Sequence, residues 1–213
     1  MFSPLPPDVN KLAFLFLEIQ NMKDSKLICG IGINDKSRPA WIGDNHTKQY
    51  NLWSSMLHRC YDPKKHARSP TYVGCSVSDN FKNYSYFYDW CHAQIGFGMD
   101  GWDLDKDILI DNNKIYSEDL CVFVPKDINT FFNDCGSAMR ELTLGAGFDK
   151  RTGKYRARCM SSGKQKFLGR FTTPEAAHAA YKQFKENLCK ELANKWRDKI
   201  DERVYNAMMS WSV

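Results

Sequence analysis

Two rhythms of apolar and polar positions run through the carboxy-terminal third of the chain. From Tyr155 to Phe171 the period is two. Tyr155, Ala157 and Cys159 fall on one side with Phe167 and Phe171, leaving Arg156, Arg158, Lys166, Leu168 and Arg170 on the other. With Leu144 to Phe148 before them, and turns at Asp149–Gly153 and Ser161–Gly163, these positions predict three short strands. The period then lengthens. Ala177, Tyr181, Phe184, Leu188, Leu192 and Trp196 recur at steps of three and four, the stripe of a long amphipathic helix. Thr173-Pro174-Glu175 supplies its start: a capping hydroxyl, a proline at the first helical position and an acid near the positive end of the dipole.

Earlier segments are less regular. Asp8 to Asn21 carries a short helical pattern, and Lys26 to Ile33 is a β-rich run broken by two glycines. Ser37 to Asn45 reads as loop. Tyr50 to Tyr61 reads as a helix with Leu52, Trp53, Met56, Leu57 and Cys60 on its apolar face. Asp62 to Pro70, rich in Lys, His and Arg, reads as a solvated loop, and Tyr72 to Val77 as a strand. Asn83 to Gln94 is a helix dense in aromatics, which favours a core over a stacking platform. A proline-led helix follows Pro125, and a last helix spans Lys199 to Met209. The expected organisation is α+β, with residues 1–135 as one domain, 136–143 as linker and 144–213 as a second domain.

Charge sharpens one part of this picture. The net charge is only +5, yet between Met139 and Arg170 stand Arg140, Lys150, Arg151, Lys154, Arg156, Arg158, Lys164, Lys166 and Arg170 against Glu141 and Asp149. A basic plate on one sheet face is a phosphate footprint, and arginines on strands also reach base edges. The same charge would equally keep an exposed sheet soluble.

Three ordered blocks, Gly147-Phe148-Asp149, Gly153 to Arg158 and Leu168-Gly169-Arg170-Phe171, precede Pro174 to Tyr181. In this order the segment resembles the AP2/integrase-type DNA-binding domain. The resemblance covers about a quarter of the chain. It implies a three-stranded antiparallel sheet on one long helix, with the sheet entering the major groove of double-stranded DNA. Lys154, Arg156, Arg158, Lys164, Lys166 and Arg170 are the contact residues it points to.

A second segment carries candidate chemistry. Leu104 to Ile108, a polar stretch from Asn112 to Asp119, Cys121 to Pro125 and then Lys126 to Phe132 form an expected strand–strand–helix unit. In layout the segment resembles HNH-type nucleases. With Trp53 to Tyr61 upstream, the chain is similar to phage-borne proteins that join such a segment to an AP2-like domain. That resemblance implies phosphodiester hydrolysis with one divalent metal, Mg²⁺ or Mn²⁺, held by Asp105 and Asn129. Lys106 stands where the family places its general-base histidine, and Leu120 where a supporting asparagine is common. Lys106 and Tyr116 are the candidate catalytic groups, with His58 and His92 as other possible bases. A non-catalytic DNA-binding protein on a nuclease-like scaffold is the alternative reading.

The remaining composition bounds the partners. The 8 cysteines are scattered without zinc-ribbon spacing, so no zinc is expected, and with no secretory signal they read as reduced thiols of a cytoplasmic protein. Leu12 to Leu17 is too short an apolar run to span a bilayer, so no membrane partner is expected.

Overall fold

A computed structural model describes residues 27–136, 145–161 and 163–213 of the chain. The helix expected over Asp8 to Asn21 lies outside them, as does the linker expected at 136–143 apart from its first residue. In chain order the elements are β1 (Trp41–Ile42), β2 (Asn45–His46), α1 (Lys48–Tyr61), α2 (Pro63–Arg68), β3 (Ser76–Val77), α3 (Tyr84–Ala93), β4 (Trp102–Asp105), β5 (Ile115–Tyr116), β6 (Val122–Pro125), α4 (Lys126–Gly136), β7 (Ala146–Asp149), β8 (Lys154–Ser161), β9 (Lys164–Phe171), α5 (Pro174–Trp196) and α6 (Glu202–Ser210). The fold is mixed helix and sheet, and every sheet is small.

Contacts divide these elements into two compact units that do not follow chain order. The first holds the described residues up to Gln94 together with Asn112–Cys121; the second holds Ile95–Asp111 and Val122 onward. The chain leaves the first unit after α3, builds β4 in the second, returns for β5, and leaves again at β6.

The first unit is helical with an aromatic centre. Thr47 caps α1 through its hydroxyl, which accepts from the Tyr50 backbone N–H. The buried face of α1, Trp53, Met56, Leu57 and Cys60, packs toward α3, whose N-terminus is capped by Asn83. Trp53 Nε1 donates to the Phe81 carbonyl at 2.8 Å, and Phe81 meets Phe87 and Trp90 edge-on at 5.1 and 4.8 Å. The aromatics of α3 therefore build a core, since Tyr84 and Phe87 are fully buried. The parallel pair β3–β5 ties Ile115–Tyr116 into this unit.

Two expectations change here. The described part of the β-rich run, 27–33, does not form a strand: Cys29 and Gly30 both take positive φ and turn the chain back, so that Ile28 bridges Gly32. The stretch after Tyr61 is not loop throughout. Asp62 caps α2 by accepting from the Lys64 N–H, with Pro63 at the first helical position.

The second unit contains the sheet-and-helix segment and the two strands and helix of the other, whose polar stretch Asn112 to Asp119 belongs to the first unit. Antiparallel β4–β6 leads into α4, giving the strand–strand–helix order expected from Leu104 to Phe132. The antiparallel sheet β7–β8–β9 is backed by α5, which contacts all three strands. The deepest positions of α5 are Ala177 and Tyr181, as expected, and then Lys185, Cys189 and Ala193, an i, i+4 row that departs from the expected stripe after Tyr181. Phe184, Leu188, Leu192 and Trp196 are only partly covered. Lys185 reaches the row because its ammonium sits over the Phe131 ring at 4.2 Å. Phe131, Phe132 and Trp211 form an edge-on aromatic cluster beside it. Asp127 at the start of α4 accepts from Lys195 Nζ at 2.6 Å and Trp196 Nε1 at 3.1 Å, so both ends of α5 have partners outside the sheet or within its cap.

Candidate nucleic-acid interface

The β8–β9 pairing decides which residues point outward. Tyr155 faces Phe171, Arg156 faces Arg170 and Ala157 faces Gly169, as strict alternation requires. The register then slips: Arg158 faces Phe167 and Cys159 faces Lys166, leaving Leu168 as an extra residue on β9. A β-bulge of this kind reverses the faces of everything beyond it. Gly169 permits the bulge, at a φ of +144° that side chains rarely adopt.

The consequence corrects the expected reading face. Phe167, expected against the helix, stands on the outer face and is 51% exposed. Lys166, expected among the arginines, turns to the helix side, where its ammonium lies over the Phe184 ring of α5 at 4.6 Å. Arg156, Arg158 and Arg170 are on the outer face as expected. Lys154, opposite Asp149, shares that face, while Lys164 stands exposed where the β8–β9 hairpin closes.

The outer side chains surround one open depression of about 450 Å³, lined by Arg156, Arg158, Gln165, Phe167 and Arg170. Arg158 donates to Gln165 Oε1 at 3.1 Å, and the Arg170 guanidinium lies over the Phe167 ring at 5.3 Å. Asp149 anchors the other edge, with a carboxylate oxygen 3.7 Å from Arg156 Nε and 3.9 Å from Arg170 Nε. Burial works to raise the Asp149 carboxyl, but the Arg151 backbone N–H and the Arg156 charge outweigh it and hold the group below the usual carboxylate range. Sequence reasoning missed Phe167, Gln165 and Asp149 as members of this face. A glycine inside a strand pattern was the available signal for the bulge.

The strand–strand–helix segment is organised differently from its expected role. Asp105 Oδ1 accepts from the backbone N–H groups of Asp107 and Ile108, both at 2.8 Å, so this oxygen is a turn cap. Burial raises the Asp105 carboxyl above the usual range, with those two N–H bonds opposing it. Asn129 donates to Asp103 Oδ2 at 3.1 Å, and its own carbonyl accepts from Asn133. Asp103 and Asp105 lie on one face of β4 by alternation, so the acid that meets Asn129 is Asp103, a residue absent from the expected ligand set.

Lys106 is buried, and its ammonium is held by Asp107. Tyr116 belongs to the first unit, 2% exposed, where burial raises its phenol and Arg59 donates to it. Of the other possible bases, His92 contacts Gln49 at 2.7 Å, and His58 Nδ1 lies 3.3 Å from both Cys29 Sγ and Asp62 Oδ2. Among the described residues no three His, Cys, Asp or Glu side chains converge as a metal-holding group. Nor is any helix among them long and apolar enough to cross a membrane.

Comparison with known protein families, with curated proteins and with solved structures returns no match to this chain.

Proposed function

We propose that this protein binds double-stranded DNA through the outer face of the β7–β8–β9 sheet. The observation that carries the reading is the convergence of three guanidiniums, Arg156, Arg158 and Arg170, with the Gln165 amide around one open depression. Guanidiniums on a sheet face suit phosphates by charge and guanine edges by their two-pronged geometry, and an amide suits base edges. The sequence resemblance to AP2/integrase-type domains supports the same use of the sheet.

Binding is favoured over cleavage by the donor groups at the second segment. Of the oxygens expected to hold a divalent metal, Asp105 Oδ1 and the Asn129 amide oxygen already accept hydrogen bonds from Asp107, Ile108 and Asn133. Lys106, paired with Asp107, stands where hydrolysis needs a base. We therefore read the protein as a non-catalytic duplex-binding factor on a nuclease-like scaffold. The second reading, metal-dependent cleavage, draws on Asp103 and Asp105 sharing a strand face beside Asn129.

Binding to a duplex is measured as a function of salt. Arg156→Ala is expected to weaken it and to lower the slope of log K against log salt by about one, and Arg158→Ala to weaken it as well. Unchanged affinity in both variants would remove the sheet face from consideration. Supercoiled plasmid with Mg²⁺ or Mn²⁺ is expected to stay intact; nicking that is lost in Asp105→Ala would establish the second reading.

A further inference from the structure

The proposed duplex face has an apolar residue at its centre, put there by the bulge. Without the slip at Ala157/Arg158, Phe167 would point at α5 and Lys166 would take its place on the plate. The observed register instead puts a half-exposed phenyl ring among the guanidiniums and amide that line the depression, with Met160 exposed further along the same face. Isolated exposed apolar residues are common on protein surfaces. Phe167 differs because polar reading groups flank it: Arg158 is its cross-strand partner, Gln165 lies two residues away on the same face, and Arg170 covers its ring.

We infer that Phe167 is a specificity-determining residue that contacts the 5-methyl group of thymine in the major groove, beside bases read by the Arg158–Gln165 pair. This inference rests on the duplex-binding reading above. The major groove offers one apolar feature among its donors and acceptors, the thymine methyl, and apolar side chains are what read it. Arg158 and Gln165, held together at 3.1 Å, present donors of the kind that pair with guanine and adenine edges on either side of such a step. The Arg170 guanidinium lies against the Phe167 ring, which disfavours insertion of that ring between two stacked bases and leaves it for side-on contact. Arg156 and Arg170, both beside Asp149, are placed for the backbone phosphates flanking that step.

The test uses the full chain and a duplex selected for tight binding from a random pool. Each thymine is then replaced singly by deoxyuridine, which deletes only the methyl group. At one or two positions the replacement is expected to weaken binding by the wild-type chain about fourfold, the worth of one buried methyl-sized group. Phe167→Ala is expected to bind the thymine and uracil duplexes equally, and Phe167→Leu to restore part of the difference. Because Phe167 is 51% exposed, both variants should keep the wild-type circular dichroism spectrum. Tight duplex binding that ignores every uracil replacement would overturn the thymine contact while leaving the duplex reading in place. A uracil effect that persists in Phe167→Ala would assign the methyl contact to another residue and equally overturn the inference. Phe167-dependent binding of single strands in preference to the duplex would make the ring a stacking platform and overturn it too. Failure of the wild-type chain to bind any duplex would refute the underlying reading.

Discussion

Asp149 separates the three guanidiniums of the plate into two kinds. Arg156 and Arg170 have its carboxylate within 4 Å, whereas Arg158 is engaged by the neutral Gln165. A restrained guanidinium loses less side-chain freedom on binding an anion, but part of its charge is already answered. Lys166 is a third case, since it faces α5 and not the plate. Lys166→Ala is therefore expected to leave the salt slope of duplex binding nearly unchanged, in contrast to the drop of about one expected for Arg156→Ala. Parallel titrations of the two variants across several salt concentrations check this; equal slopes in both would place Lys166 on the binding face after all. The same reasoning explains what periodicity missed. Alternation assigns each residue to a face only while the register holds, and a one-residue bulge moves Phe167 and Lys166 to opposite sides.

Among elements, β9 and α5 are where local sequence and packing meet. At Gly169 a Cβ would stand 3.1 Å from the Phe171 ring, on backbone at φ +144°. Gly169→Ala should lower stability by about 1–3 kcal/mol through backbone strain, read as a fall in the urea midpoint. A midpoint equal to wild type would mean that the bulge tolerates a side chain. At the far end of α5, Asp127 is held below the usual carboxylate range. Burial opposes that shift, and the Lys195 and Trp196 hydrogen bonds more than offset it. A depressed carboxyl stabilises the fold above its unfolded value and stops doing so as pH falls through its folded one. Thermal melts of Asp127→Asn should show a shallower loss of stability on acidification than wild type. Superimposable acid limbs would show that the contact contributes nothing. The limits of α5 were readable in advance because Thr173, Pro174 and the apolar steps are all local signals. The deeper position of Lys185 was not, since it depends on Phe131 from another element.

On the scale of the whole molecule, β4, β6 and α4 belong to one compact unit with the sheet and its helix. Trp102 meets Trp196 edge-on at 5.9 Å, Phe131 and Phe132 surround Trp211, and Asp127 accepts from the Lys195 and Trp196 side chains in the last turn of α5. A fragment comprising residues 145–213 should consequently melt well below the full chain, because it lacks the partners of Trp196, Trp211 and Lys185. Matching melting temperatures would show instead that the sheet and helix are self-sufficient.

The sequence by itself determined the elements whose causes are local: the three strands, the capped helix behind them, the aromatic core around Trp53 and the basic character of one face. Periodicity, caps and turn residues act within a few positions, so one chain in isolation displays them. Tertiary structure alone decided which side chains share a surface. The bulge brought Phe167 out among Arg158, Gln165 and Arg170, and the excursion through β4 put Asp105 and Tyr116 in different units. Asn129 found Asp103 in place of Asp105 for the same reason. Register and unit membership are fixed by pairing between distant residues, which no window of a few positions along the chain displays.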